Sequence, residues 1–144
     1  MLRPYKGKIM STEQNKSIIR RYLEQVYDKN NPSVLDELCA PNYARYLNNT
    51  PAPLNLGQQK QRLAGMRAAF PDIRVEIVRL IAEENFVTMQ IVVRGTHRGA
   101  FAGVEASGRE IAVPAIDIVR LENGKMVEHW GGMDSGVLMQ QLKG

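Results

Sequence analysis

Residues 108–142 read GREIAVPAIDIVRLENGKMVEHWGGMDSGVLMQQL, and the fold is decided in this stretch. At its centre, Glu122-Asn123-Gly124-Lys125 joins two runs rich in strand formers. Asn-Gly at such a point predicts a tight hairpin, because both residues accept positive φ. In the first run Ile111, Val113, Ala115, Asp117 and Val119 fall in one phase, since successive strand side chains alternate between faces. Ala112, Pro114, Ile116 and Ile118 fall in the other. Neither phase is polar at its centre, so the strand is expected to be covered on both sides. Asp117 then stands where a carboxylate is costly unless it finds a partner, a proton or a wet cavity. In the second run Val127, His129 and Gly131 share one phase, and Met126, Glu128 and Trp130 share the other. If Asp117 and His129 line the same face, an internal pocket is the expected consequence. Asp134 or Ser135 then caps a last helix whose Val137, Leu138 and Leu142 can fold back on the sheet.

Working outward, the period is two from Asp72 onward. Val75, Ile77, Arg79 and Ile81 alternate with Arg74, Glu76, Val78 and Leu80. A turn at Glu83-Glu84-Asn85 leads to a strand over 86–96, with Val87, Met89, Ile91 and Val93 on one face. Before Pro71 the period is helical. Ser11 or Thr12 caps a first helix whose Ile18, Ile19, Tyr22, Leu23 and Val26 form an apolar stripe, ended by Asn30-Asn31-Pro32. Ser33 is expected to cap a short second helix, closed by Ala40-Pro41. A loop is expected over 42–55, then a third helix over about 56–70 with Leu63, Met66 and Phe70 inward. Residues 1–10 read as a flexible extension and 11–144 as a single domain. Helices first and antiparallel strands after them predict an α+β fold. A strongly curved antiparallel sheet could wrap around the helices as an open cone with a pocket inside.

The composition narrows the function classes. A chain of 144 residues, 44% hydrophobic and 24% charged, suits one soluble domain with one core. The net charge of +4 comes from 19 Lys and Arg against 15 Asp and Glu, and it is scattered. Without a basic stripe interleaved with aromatics, nucleic acid is not expected as the partner. Cys39 is the only cysteine. It excludes an internal disulfide and fits a reducing compartment, so a cytoplasmic protein is expected. No stretch approaches the roughly 18 apolar residues of a spanning helix, and the basic N-terminus lacks the apolar core of a signal peptide. No His, Cys or carboxylate pair has metal-site spacing, and no phosphate-cradling glycine loop follows a strand.

The candidate chemistry rests on few residues. Asp117 is the acid/base candidate, with His129, titratable near neutral pH, or His97 as its candidate partner. His97 lies near a strand end before a glycine-rich loop and reads as a rim residue that could touch a ligand. Tyr43 and Tyr46 sit in the long loop and offer an apolar body with a polar tip. Met66, Trp130 and Gly131 complete the set of candidate ligand-lining residues.

Four stretches carry a family resemblance: RAAFPDIRVEIVRLIAEENFV (67–87), VVRGTHRGAFAGV (92–104), PAIDIVRLENGKMVEHWGGMD (114–134) and GVLMQQL (136–142). With the helical start, the chain over about 12–143 resembles the SnoaL-like polyketide cyclases of the nuclear-transport-factor-2-like superfamily. The resemblance implies a cone-shaped α+β barrel around a hydrophobic cavity, a homodimer through the sheet, and no metal or organic cofactor. In characterised cyclases an aspartate shortly after the EH-type dipeptide is general acid/base for an intramolecular aldol ring closure. Gly131 occupies the equivalent position here, so Gly131→Asp would restore that side chain. Asp117 stands where a cyclase cavity has histidine, while His97 and Asp134 match family positions. The related limonene epoxide hydrolase type activates water with an Asp-Arg-Asp set. Ala115 stands where that type has its arginine. The implied function is a cofactor-independent acid/base enzyme acting on a small hydrophobic compound. The alternatives are a non-catalytic binding protein of the same fold and an epoxide hydrolase-like enzyme.

Overall fold

The computed structural model describes residues 10–48 and 50–144; the extension expected over 1–10 lies, apart from Met10, outside the described residues. Helix α1 (Thr12–Leu23) starts with a capping box in which Ser11 and Gln14 satisfy each other's backbone N–H. It runs into a π-helical turn, Glu24–Asp28. A 3-10 turn, Pro32–Val34, leads to the one-turn α2 (Leu35–Leu38). Ser33 does not cap it, because its hydroxyl donates to Asn31 instead. Strand β1 (Cys39–Tyr46) follows, then α3 (Leu56–Ala69), with a second capping box between Asn55 and Gln58. The remaining elements are β2 (Arg74–Glu83), β3 (Phe86–Thr96), β4 (Glu110–Glu122), β5 (Lys125–Met133) and α4 (Ser135–Lys143), the last capped by Asp134. The β4–β5 turn has Asn123 at φ 50° and Gly124 at φ 75°, the paired positive values a tight hairpin requires.

The five strands form one sheet in the order β1-β5-β4-β3-β2. From β2 to β5 every pairing is antiparallel, as expected. β1 corrects the expectation of a wholly antiparallel sheet and of a loop from residue 42: it pairs parallel with β5 at the sheet edge. CAPNYARY hides this strand because Pro41 and Asn42 are poor strand formers. An edge strand tolerates them, and the register slips between Cys39 and Ala44, at these residues.

The sheet buries one face. Met89, Ile91, Val93, Val113 and Val119 pack against Ile19, Tyr22 and Leu23 of α1, Leu63 and Met66 of α3, and Leu138 and Leu142 of α4 in one core. The opposite face departs from the expectation of cover on both sides. Ile116 is 62% exposed, Ile81 58% and Ile118 41%. Among the described residues no helix is long and apolar enough to cross a membrane.

Candidate active site

Asp117 and His129 come together because they are diagonal neighbours on adjacent strands. In the β4–β5 ladder Asp117 faces Gly131, and Val119 faces His129. Both side chains point to the buried face, and His129 Nε2 lies 2.6 Å from Asp117 Oδ2. On the other side of the ring, the Tyr43 hydroxyl lies 3.3 Å from Nδ1, and Tyr22 packs edge-on at 6.0 Å between ring centroids.

The parallel strand brings in a residue the sequence reading missed. Arg45 is buried, with Nη2 3.5 Å from Asp117 Oδ2. Its Nη1 donates to the backbone carbonyls of Tyr46 (3.1 Å) and His129 (3.3 Å). Arg120, on the same strand as Asp117, pairs instead with Glu122 and Glu128. Arg45 lay in an expected loop, so no strand phase pointed it inward. An arginine in an otherwise apolar-spaced Tyr43-x-Arg45 was the only available signal.

These contacts set the protonation states. Burial pushes the Asp117 carboxyl up, but the His129 hydrogen bond and the charges of Arg45 and Arg62 together hold it below the ordinary range. Burial, reinforced by Arg45, lowers His129 to about 4 against the opposing pull of Asp117. The consistent assignment is an ionised Asp117 and a neutral His129. His129 then donates Nε2–H to Asp117 and accepts at Nδ1 from the Tyr43 hydroxyl. Burial pushes that hydroxyl far above its usual range, so it remains a donor. Among the described residues, the buried Asp117 Oδ1 has no partner.

A cavity of about 860 Å³ opens beside this group, between α4, the end of β1, α3 and the 101–102 turn. Gly131 and Gly132 line it, with Ala115, Met133, Phe101 and Arg62. Asp117 and His129 do not line it; they lie one layer behind its wall. A Cβ added to Gly131 would stand 2.8 Å from Asp117 Oδ1, and one added to Gly132 would stand 3.9 Å from Arg45 Nη2. The two glycines thus form a thin wall between the cavity and an Asp–Arg pair.

The other candidates scatter. Tyr43 joins the site through His129. Tyr46 and Trp130 stack on each other, centroids 5.8 Å apart, and Phe86 continues the stack at 6.5 Å. Trp130 belongs to the phase opposite His129, so this stack does not meet Asp117. Met66 lines a separate, mostly apolar cavity of about 180 Å³ between the π-helical turn and α3. His97 is fully buried rather than at a rim, packed on Phe70 at 5.5 Å. The Ser107 backbone N–H donates to its Nδ1 at 3.2 Å, which places the ring proton on Nε2, an atom without a partner. Burial pushes the Cys39 thiol up to about 12, so it is no nucleophile at neutral pH. Among the described residues, no three His, Cys, Asp or Glu side chains cluster as metal ligands.

The model of the SnoaL-like polyketide cyclases matches residues 17–142. The chain belongs to the SnoaL-like polyketide cyclase family. Solved structures agree in fold. AclR from Streptomyces galilaeus, a proposed hydroxylase, is 25% identical at a TM-score of 0.84, with 92% of this chain and 98% of that one covered. A proposed SnoaL-like cyclase from Jannaschia sp. CCS1 is 22% identical at 0.84, covering 94% and 97%. A proposed polyketide cyclase from Acidithiobacillus ferrooxidans is 26% identical at 0.79, covering 93% and 99%. No curated protein matches the sequence. Within this family the α+β architecture, with N-terminal helices on a curved mixed sheet, is the shared frame.

Proposed function

We propose that this SnoaL-like protein is a cofactor-independent enzyme in which the Asp117 carboxylate removes a proton from a small, largely apolar carbonyl compound. The observation that carries the reading is Asp117 Oδ1, which has no partner among the described residues while Oδ2 is held by His129 and Arg45; it is buried behind Gly131, which has to move aside for a substrate to reach it. One oxygen is fixed and the other is left for a substrate, which suits a general base. A neutral His129 orients the carboxylate and cannot itself serve as the acid. The glycine also bears on the chemistry. Asp117 and Gly131 are direct cross-strand partners, so a carboxylate on β4 fills the space a side chain at 131 would claim. Cyclases of this family that use an aspartate at the equivalent of 131 therefore have a counterpart here, delivered from the neighbouring strand.

The test needs no known pathway. β-Tetralone, a bicyclic ketone, is incubated with the protein in heavy water, and deuterium entry at its α-carbon is followed by NMR. Exchange above background that falls at least about a hundredfold in Asp117→Asn, with ketone affinity unchanged, supports the reading. Binding without exchange makes the protein a small-molecule binder. Arg45 beside Asp117 favours one second reading, activation of water for epoxide opening. Incorporation of oxygen-18 from labelled water into a diol product would select it.

A second copy of the chain is proposed to cover the exposed Ile81, Ile116 and Ile118 face. The lone buried Cys39 fits a reducing compartment such as the cytoplasm.

A further inference from the structure

Arg62 is the one cationic side chain lining the 860 Å³ cavity among the described residues. It projects from α3 and, among the described residues, makes a single hydrogen bond, Nη1 to Gln59 Oε1 at 3.3 Å. Every ion pair found among the described residues leaves it out. Arg67, five residues further along the same helix, is spent on the carbonyls of Val26, Tyr27 and Pro71, and Arg45 on Asp117 and two carbonyls. Arg62 therefore keeps most of its donors free in a half-buried setting. The other charged group on the lining, Asp134, is turned to cap α4, its Oδ1 accepting the Val137 N–H at 3.0 Å. Arg62 is also near enough to the buried group for its charge to act on Asp117, His129 and Tyr43.

We infer that Arg62 is the oxyanion-binding residue of this cavity, and that its ligand presents a carbonyl oxygen that becomes an enolate. The inference rests on the proposed role of Asp117. Asp117 Oδ1 takes the proton from the carbon α to the carbonyl. The C–H electron pair forms the new C=C bond, and the carbonyl π pair moves onto oxygen. The negative charge leaves the carboxylate, which becomes a neutral acid, and arrives on the substrate oxygen. A half-buried guanidinium on the lining of a mostly apolar cavity stabilises that oxygen more than it does the neutral carbonyl. With Gly131 moved aside, Arg62 on α3 and Asp117 address two different atoms of one substrate, the oxygen and the α-carbon.

The experiment uses a nitronaphthol with hydroxyl and nitro groups para on one ring, because its anion alone absorbs visible light and imitates an enolate. Wild-type protein should bind the anion at least about tenfold more tightly than the neutral phenol, seen as a downward move of the dye's ionisation midpoint. Arg62→Gln should abolish that preference and Arg62→Lys should retain part of it. Asp117→Asn, which loses ketone exchange, should keep the preference or strengthen it, because the removed charge is negative. An unchanged preference in Arg62→Gln overturns the role of Arg62 and leaves that of Asp117 standing, since the dye needs no turnover. Binding of the neutral phenol in preference to the anion, or no binding of the dye by wild-type protein, also overturns it.

Discussion

Replacing Gly131 by alanine tests the wall between the cavity and Asp117. The residue sits at φ +110°, where L side chains are strained. An added Cβ would stand 2.4 Å from the Ile116 carbonyl oxygen, 2.9 Å from Asp117 Cα and 2.8 Å from Asp117 Oδ1. The first two are backbone atoms in the β4–β5 ladder, so relief requires the hairpin to shift. Backbone strain of this kind costs about 1–3 kcal/mol, and overpacking adds a further 1–3 or so. The expected loss is about 3 kcal/mol, or roughly 10 °C in melting temperature for a chain of this size. Gly65 is the internal control: it lies inside α3 with nothing within 4 Å of an added Cβ, so Gly65→Ala should gain up to about 1 kcal/mol. Urea unfolding of the two variants beside wild type reads both. If Gly131→Ala unfolds within about 0.5 kcal/mol of wild type, the close approach of residue 131 to Asp117 is wrong. The same geometry reverses an expectation drawn from sequence. Gly131→Asp would not restore a cyclase carboxylate, because it forces a second carboxylate into the space already held by Asp117.

The remaining predictions concern charge and assembly. His129 titrates at about 4 when folded against an ordinary 6.5, so between these values the unfolded chain binds a proton that the native state refuses. Stability should therefore fall by about 3 kcal/mol as pH drops from 7 to 4, with Asp117, lowered in the native state, adding to the loss at still lower pH. Urea unfolding that is flat across this range would show His129 to be charged in the fold. Arg45→Leu should cost about 3–5 kcal/mol by leaving Asp117 buried beside one partner fewer, and the added change Asp117→Leu should return part of that. A double-mutant cycle with zero coupling would dissolve the pair. Light scattering at micromolar protein should give a dimer, and Ile116→Lys combined with Ile81→Lys a monomer; a monomeric wild type would leave the exposed face without its proposed cover.

Local chemistry announced much of the frame. The capping sequence at Ser11, the Asn123-Gly124 turn and the change of period at Pro71 are short-range signals, and each is in the place its residues require. Asp117 was legible as an anomaly for the same reason: alternation put it among Val113, Ala115 and Val119, and no surface role was open to it. His129 was legible as its partner because the hairpin fixes the β4–β5 register within a residue or so.

The sequence by itself determined the helices, the four antiparallel strands and a carboxylate on their buried face, because these follow from propensity and alternation within one segment. Only the tertiary structure decided that Cys39–Tyr46 is a strand, since its partner β5 lies some eighty residues away and its own residues favour no strand. With that strand came Arg45, and with α3 folded over the sheet came Arg62, so the cations around Asp117 come from segments distant in the chain. The glycine wall is likewise tertiary: Gly131 reads as a strand residue in phase with His129, and its meaning lies in what packs behind it. Charge compensation of a buried carboxylate acts through space, over a few ångströms, and no pattern along the chain encodes which distant arginine will arrive.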